Sequence, residues 1–190
     1  MIIMVIDTET TGIPSRSVSN QFTLHLFPYI LQLSYIIYDT DSASILSTYD
    51  SVILLPVDKW SSLTDTTISI HGITHEKMKT IGKPIAQCLG QLVSDLKTVD
   101  LLIGHNIKFD INMIKTELYR FLYTTHSCYQ DVINPHCSTT MQFRAGVNRL
   151  KSIPIFCTMN ETKTICNVIA THHTDNSRQY VKYPSLNELH

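Results

Sequence analysis

Residues 1–12 read MIIMVIDTETTG, and the fold turns on them. Met1 to Ile6 is an unbroken apolar run rich in Ile, the pattern of a central strand buried on both faces. It runs straight into Asp7. Strand side chains alternate between faces, so Asp7 and Glu9 point the same way. Two acids side by side at the end of a buried strand repel each other and are costly to desolvate. A divalent cation compensates such a pair, because hard cations take oxygen ligands. The alternative is a solvated strand end with a Thr-rich turn, and spacing alone does not separate the two. Gly12 permits a sharp turn beside the acids.

Outward from this strand, Tyr29–Tyr38 (YILQLSYIIY) partly alternates apolar and polar residues and ends in Asp39-Thr40-Asp41, which predicts a second strand and a turn. Ser51–Leu55 (SVILL) predicts a third, stopped by Pro56. Short connections suit antiparallel pairing. The period then changes. Ile85, Cys88, Leu89, Leu92, Val93 and Leu96 recur at helical spacing after Pro84. Asp100–Gly104 (DLLIG) predicts a buried strand, and Asp110–Leu122 a second amphipathic helix. Ile153–Met159 holds a further strand, Glu161–Ile169 a further helix, and Pro184–His190 the opening of one. Tyr123–Lys151, rich in Thr, Ser, Cys, His and Asn, reads as a surface insertion, and Asp175–Arg178 as a loop. Strands paired locally and then alternating with helices predict a three-layer α/β domain on a mixed sheet spanning 1–190.

Composition narrows the function. The chain has 190 residues, 43% hydrophobic and 16% charged, enough for a sizeable core. A net charge of −1 excludes a polybasic protein but not a nucleic-acid enzyme whose site carries metal ions. No apolar run approaches a membrane span, and no basic region precedes the first one. Five cysteines without tight pairing read as free thiols of an intracellular protein, cytoplasmic or nuclear. His126, Cys128, His136 and Cys137 cluster, but no CxxC accompanies them, and an ordinary loop is the preferred reading over zinc.

A third acid closes Gly104-His105-Asn106-Ile107-Lys108-Phe109-Asp110. At the start of a helix, Asp110 is favoured in its ionised form by the helix dipole, though an N-cap Asp is equally ordinary there. Taken together, DTETTG (7–12) and HNxxFD (105–110), about a hundred residues apart, resemble the DEDD superfamily of 3′–5′ exonucleases. The nearer likeness is to its DnaQ-like branch, which includes proofreading subunits of bacterial DNA polymerases. His71-Gly72-Ile73-Thr74, Phe156-Cys157-Thr158-Met159 and Lys182-Tyr183-Pro184-Ser185-Leu186 are similar to lesser motifs of that branch.

The resemblance implies an RNase H-like fold with a five-stranded mixed sheet flanked by helices. It implies that Asp7, Glu9 and Asp110 are catalytic metal ligands for two divalent cations, Mg²⁺ or Mn²⁺. It implies a nucleic acid 3′ end, single-stranded DNA or RNA, as substrate, and a polymerase or replication protein as partner. Thr10, Thr11, Gly12, His71 and Ile73 then meet the terminal nucleotide, while His105 and Asn106 brace the site. The branch's last motif, a His followed five residues later by an Asp, has no counterpart in family order before His190. His126 and Asp131 have that spacing at the wrong place. The expectation is therefore an exonuclease impaired over residues 1–190, or alternatively an inactive module that binds nucleic acid ends. An RNase H-like endonuclease shares such acids but not this pair of motifs. Charge is uneven: residues 141–190 hold six Lys and Arg against three acids, while 1–140 hold nine against thirteen. Arg144, Arg149, Lys151, Lys163, Arg178 and Lys182 are candidates for a phosphate-tracking edge, but scattered solvated charges are the preferred reading. The Ile, Thr, Ser and Asn content suits a viral source.

Overall fold

The computed structural model describes residues 1–14, 21–123, 138–172 and 175–189. Its centre is a five-stranded sheet in the order β3-β2-β1-β4-β5. The strands are β1 (Ile2–Thr10), β2 (Ile30–Asp39), β3 (Ser44–Val52), β4 (Leu101–Gly104) and β5 (Ile155–Cys157). β2 pairs antiparallel with β1 and β3, and β4 pairs parallel with β1 and β5. The sheet is mixed, as expected. Asp100 joins β4 to β1 with two bonds: its backbone N–H donates to the Ile2 carbonyl, and its Oδ2 accepts from the Ile2 N–H, both at 2.7 Å.

Short helices α1 (Asp65–His71) and α2 (His75–Ile81) precede three longer ones, α3 (Ile85–Asp95), α4 (Ile107–Tyr123) and α5 (Ser138–Ser152). The long helices pack on one face of the sheet. Met4 and Ile6 of β1 and Leu102 of β4 meet Leu89 and Leu92 of α3, Ile114 and Leu118 of α4, and Phe143 and Leu150 of α5. The opposite face leaves Val5, Ile36 and Phe156 exposed. A second apolar cluster, built on Leu31, Val52, Ile73 and Met78, seats α1 and α2 beside β2 and β3.

Several expected elements move. The insertion expected over 123–151 is overturned in its second half. Ser138–Ser152 is a core helix, because Phe143, Val147 and Leu150 recur at helical spacing within a polar composition. The first half, with His126, Cys128, Asp131, His136 and Cys137, lies outside the described residues. The third strand is the Ser- and Thr-rich Ser44–Val52, not Ser51–Leu55; as an edge strand it needs little apolar surface. The helix expected over Glu161–Ile169 is broken into α6 (Thr158–Glu161) and α7 (Lys163–Cys166), with Asn167 ending α7 in the left-handed region at φ 45°. The loop expected at Asp175–Arg178 belongs to β7 (Asp175–Val181), which pairs antiparallel with β6 (Ile169–His172). At the end of the chain, Leu186–Glu188 forms a single 3₁₀ turn, capped by Ser185.

A Cβ placed on Gly146 of α5 falls 2.4 Å from Cγ2 of Val93 on α3. Gly146→Ala should therefore cost about 1–3 kcal/mol through overpacking. Urea denaturation checks this, and an unchanged midpoint would mean that α5 does not pack on α3 as described.

Candidate active site

β1, β4 and β5 run parallel, so their C-terminal ends share one edge of the domain. Asp7 and Glu9 lie at that end of β1, on the face opposite buried Met4, Ile6, Thr8 and Thr10. Asp7 is exposed and Glu9 half-buried. Burial, and then the Asp7 charge, raise the Glu9 carboxyl above its usual value.

Asp110 reaches the same place from α4. It is in the first turn, after a helix start at Ile107 that is earlier than expected. β4 pairs with β1 only from Ile3 to Val5, so beyond that point this edge of β1 has no strand partner. Asp110 fills the gap: its Oδ1 accepts from the Thr8 N–H at 3.0 Å and from the Thr8 hydroxyl at 2.8 Å. The side chain is 2% exposed. Burial pushes its carboxyl up to about 7, Asp7 adding to the rise against the lowering effect of the Thr8 bonds. The three acids thus form an electrostatically coupled group centred on Asp7. They do not converge on a point: among the described residues no three His, Cys, Asp or Glu side chains form a ready metal cluster. An all-carboxylate, mutually repelling set fits hard divalent cations by donor chemistry.

A cleft of about 340 Å³ borders Glu9, lined also by Thr10, Gly12, Ile13, Ile70, His71, Asn106 and Phe109. The loop at 71–74 is a junction between helices. Gly72, at φ 68°, ends α1, and the Thr74 hydroxyl caps α2 by accepting from the Lys77 N–H. His71 Nδ1 accepts from the Ile73 N–H at 3.0 Å, which places the ring proton on Nε2. Nε2 is buried and has no hydrogen-bond partner among the described residues. Burial, and then Lys77, lower the His71 pKa, so the ring is neutral near pH 7.

The structure does not bring every expected contact residue into the cleft. Ile73 is 0% exposed in the second apolar cluster, so its side chain cannot meet a nucleotide. Its apolar character serves packing between β2 and α2. Thr10 is nearly buried and donates to the Gly12 carbonyl at 2.7 Å, shaping the turn. Thr11 is tied to Tyr29 by two bonds: its N–H donates to the Tyr29 carbonyl, and its hydroxyl accepts from the Tyr29 N–H. His105 sits 3.1 Å from the Thr158 hydroxyl, a bracing contact. Asn106 lines the cleft from a left-handed backbone at φ 61°. Sequence reasoning missed the wall residues Ile13, just after β1, and Ile70, in α1, both exposed.

The fold is an RNase H-like α/β domain. The exonuclease family of RNase T type matches residues 4–175, and the chain belongs to that family. Among solved structures it is similar to product-bound exonuclease I, with a TM-score of 0.58 at 12% identity, covering 91% of this chain and 35% of that one. Escherichia coli exonuclease I in complex with a dA16 oligonucleotide gives 0.58 at 14% identity, over 92% and 33%. The zinc-bound form of the E. coli enzyme's complex with single-stranded DNA gives 0.58 at 13%, over 87% and 30%. At these identities the likeness is one of fold, an RNase H-like fold of DnaQ type. The chain spans about a third of the length of the exonuclease I chains it matches. No curated protein matches it. Among the described residues no helix is long and apolar enough to cross a membrane.

The raised Asp110 carboxyl has a consequence for stability without metal. A group raised on folding contributes stability that is fully present below its unfolded pKa and is lost as pH rises through the folded one. Metal-free protein should therefore lose stability between about pH 4 and about pH 7. Asp110→Asn keeps the acceptor for Thr8 and removes the charge. In EDTA at pH 8 it should melt several degrees above the parent, and it should match the parent near pH 4. Calorimetry checks both; a lower melting temperature at pH 8 would show that the ionised carboxylate is stabilising.

Proposed function

We propose that this chain is a two-metal-ion 3′–5′ exonuclease that releases nucleoside monophosphates from 3′ ends of single-stranded DNA or RNA. The observation that carries the reading is the concentration of carboxylates at the end of β1, with Asp7 coupled to both Glu9 and Asp110. No basic side chain is paired with them among the described residues, so their charge calls for cations. Asp7, Glu9 and Asp110 are the groups that would hold Mg²⁺ or Mn²⁺. When bound, such ions generate a nucleophile from water and stabilise charge on the scissile phosphate and the leaving 3′ oxygen.

The chain's own residues bind and orient the strand end. Ile13, Ile70 and Phe109 offer apolar walls for the terminal base. The His71 ring lines the same cleft, but its Nε2 is buried, so it offers the strand end a ring wall rather than a donor. Gly12 leaves backbone room beside the acids, with nothing within 4 Å of where its Cβ would stand. Such a cleft accepts an unpaired end, and the exonuclease I structures bound to single-stranded oligonucleotides agree with that substrate class.

The test is nucleotide release from 5′-labelled single-stranded DNA and RNA with Mg²⁺ or Mn²⁺. The parent should give a ladder shortening from the 3′ end, and Asp7→Ala should lower the rate by more than about 10²-fold. Internal cuts would point to an endonuclease. Oligonucleotide binding without release in either protein would point to an end-binding module. His71→Ala should raise KM roughly 2–5-fold and change kcat by less than about two-fold, as loss of one ring wall of the cleft does. A fall confined to kcat would remove His71 from ground-state binding.

A further inference from the structure

The hairpin β6–β7 is not used by the site described above. It grows from the same edge of the sheet. β5 ends at Cys157, α6 and α7 follow at once, and then the hairpin. Thr158, the first residue of α6, touches His105 beside the cleft loop. Tyr183, just past β7, lies under the ammonium of Lys163 on α7, 4.2 Å from ring centroid to Nζ. The hairpin thus begins twelve residues after β5 leaves the sheet end that carries the acids, and Tyr183 ties its base to α7.

Its two faces differ. Ala170 pairs with Tyr180 and Ile169 with Val181. Alternation then sets Arg178, Tyr180 and Lys182 on one face and Gln179 and Val181 on the other. The His172 ring meets the Tyr180 ring edge-on, at 6.2 Å, on the first face. Tyr180 is 45% exposed and Tyr183 50%. Arg178 is exposed. Other cations from residues 141–190 serve elsewhere. Arg149 donates to the Leu96 and Val99 carbonyls, Lys151 lies over Tyr119, and Lys182 pairs with Glu188. What stands out on this arm is Arg178 beside Tyr180 on one face, with Lys163 and Tyr183 at its base.

We propose that this cationic, aromatic face is a second contact surface for single-stranded nucleic acid, gripping nucleotides on the 5′ side of the one in the cleft. The proposal rests on the nuclease reading above. Single strands are held without sequence preference by aromatic rings on which bases stack and by cations that follow the phosphates. The arm supplies both on a chain whose first 140 residues carry more acids than bases. A protein partner is the disfavoured occupant, because the apolar residues Ile169 and Val181 lie on the other face.

The test uses fluorescein-labelled oligo(dT) of about 3 and about 15 nucleotides, bound to the full chain in Ca²⁺ without turnover. Arg178→Ala/Tyr180→Ala should bind the long oligonucleotide on the order of ten-fold more weakly and the short one unchanged. Tyr180→Phe should retain most of the parent's affinity, because the ring remains. The salt dependence of long-oligonucleotide binding should become shallower in the double variant by roughly 0.7 in log–log slope for the lost arginine. Circular dichroism confirms that the variants are folded. Equal affinity of parent and folded double variant for the long oligonucleotide overturns the assignment of the hairpin and leaves the nuclease reading standing. Binding by the parent to neither length overturns both. Loss of self-association in the double variant with oligonucleotide binding intact assigns the arm to protein contact and overturns the proposal.

Discussion

One buried carboxylate holds the active edge together. Beyond Val5, β1 has lost its parallel neighbour, and Thr8, inward-facing after Ile6, presents a backbone N–H and a hydroxyl with no strand to receive them. Asp110 takes both. An unsatisfied buried donor costs about 1–3 kcal/mol, so the bond fixes how far α4 sits along β1. It also fixes where the Asp7 and Glu9 side chains stand relative to the helix. The cost is a carboxyl out of water near another acid, visible in its raised pKa. The same group therefore both builds the edge and loads it with charge.

The rest of α4 extends this control. Two turns on, Glu117 and Arg120 form a buried pair. Arg120 donates to the carbonyls of Leu24, Phe27 and Pro28, and its guanidinium lies 3.9 Å from the Tyr29 ring centroid. Glu117 accepts from the Ile30 N–H. Tyr29 in turn holds Thr11, the last threonine of the motif. One helix thus grips the motif from both sides, at Thr8 directly and at Thr11 through the chain that leads into β2. A buried ion pair is weak evidence for stability, but it is directional, and here its further bonds run to the backbone that leads into β2.

What was legible in the sequence follows from how each residue does its work. Met1–Ile6 declares a central strand by its apolar run, but the expected burial on both faces does not hold: Met4 and Ile6 face the core and Val5 is exposed. Asp7 and Glu9 declare themselves because acids at that place need a reason. α3 shows its period openly, whereas α5 hides the same period under Thr, Asn and Arg, and only Phe143, Val147 and Leu150 betray it. β3 was misplaced because an edge strand satisfies half its backbone with water and can be built from Ser and Thr. Ile73 was misread as a contact residue because motif membership does not tell whether a side chain faces ligand or core. The orphan Nε2 of His71 was invisible to sequence, since it depends on which partner the other ring nitrogen finds.

Asn106 shows how a motif letter can be set by the backbone before chemistry enters. Its φ of 61° helps turn the chain from β4 into α4 in the two residues between them, so that Asp110 arrives beside Thr8. Among residues with a side chain, Asn and Asp tolerate that conformation best, and a β-branched residue is strained there. The accepted alphabet at position 106 is therefore short whatever the strand end touches. Drift through Asn, Asp and Gly would leave the edge intact, and a Val or Ile would swing the helix and its carboxylate away together.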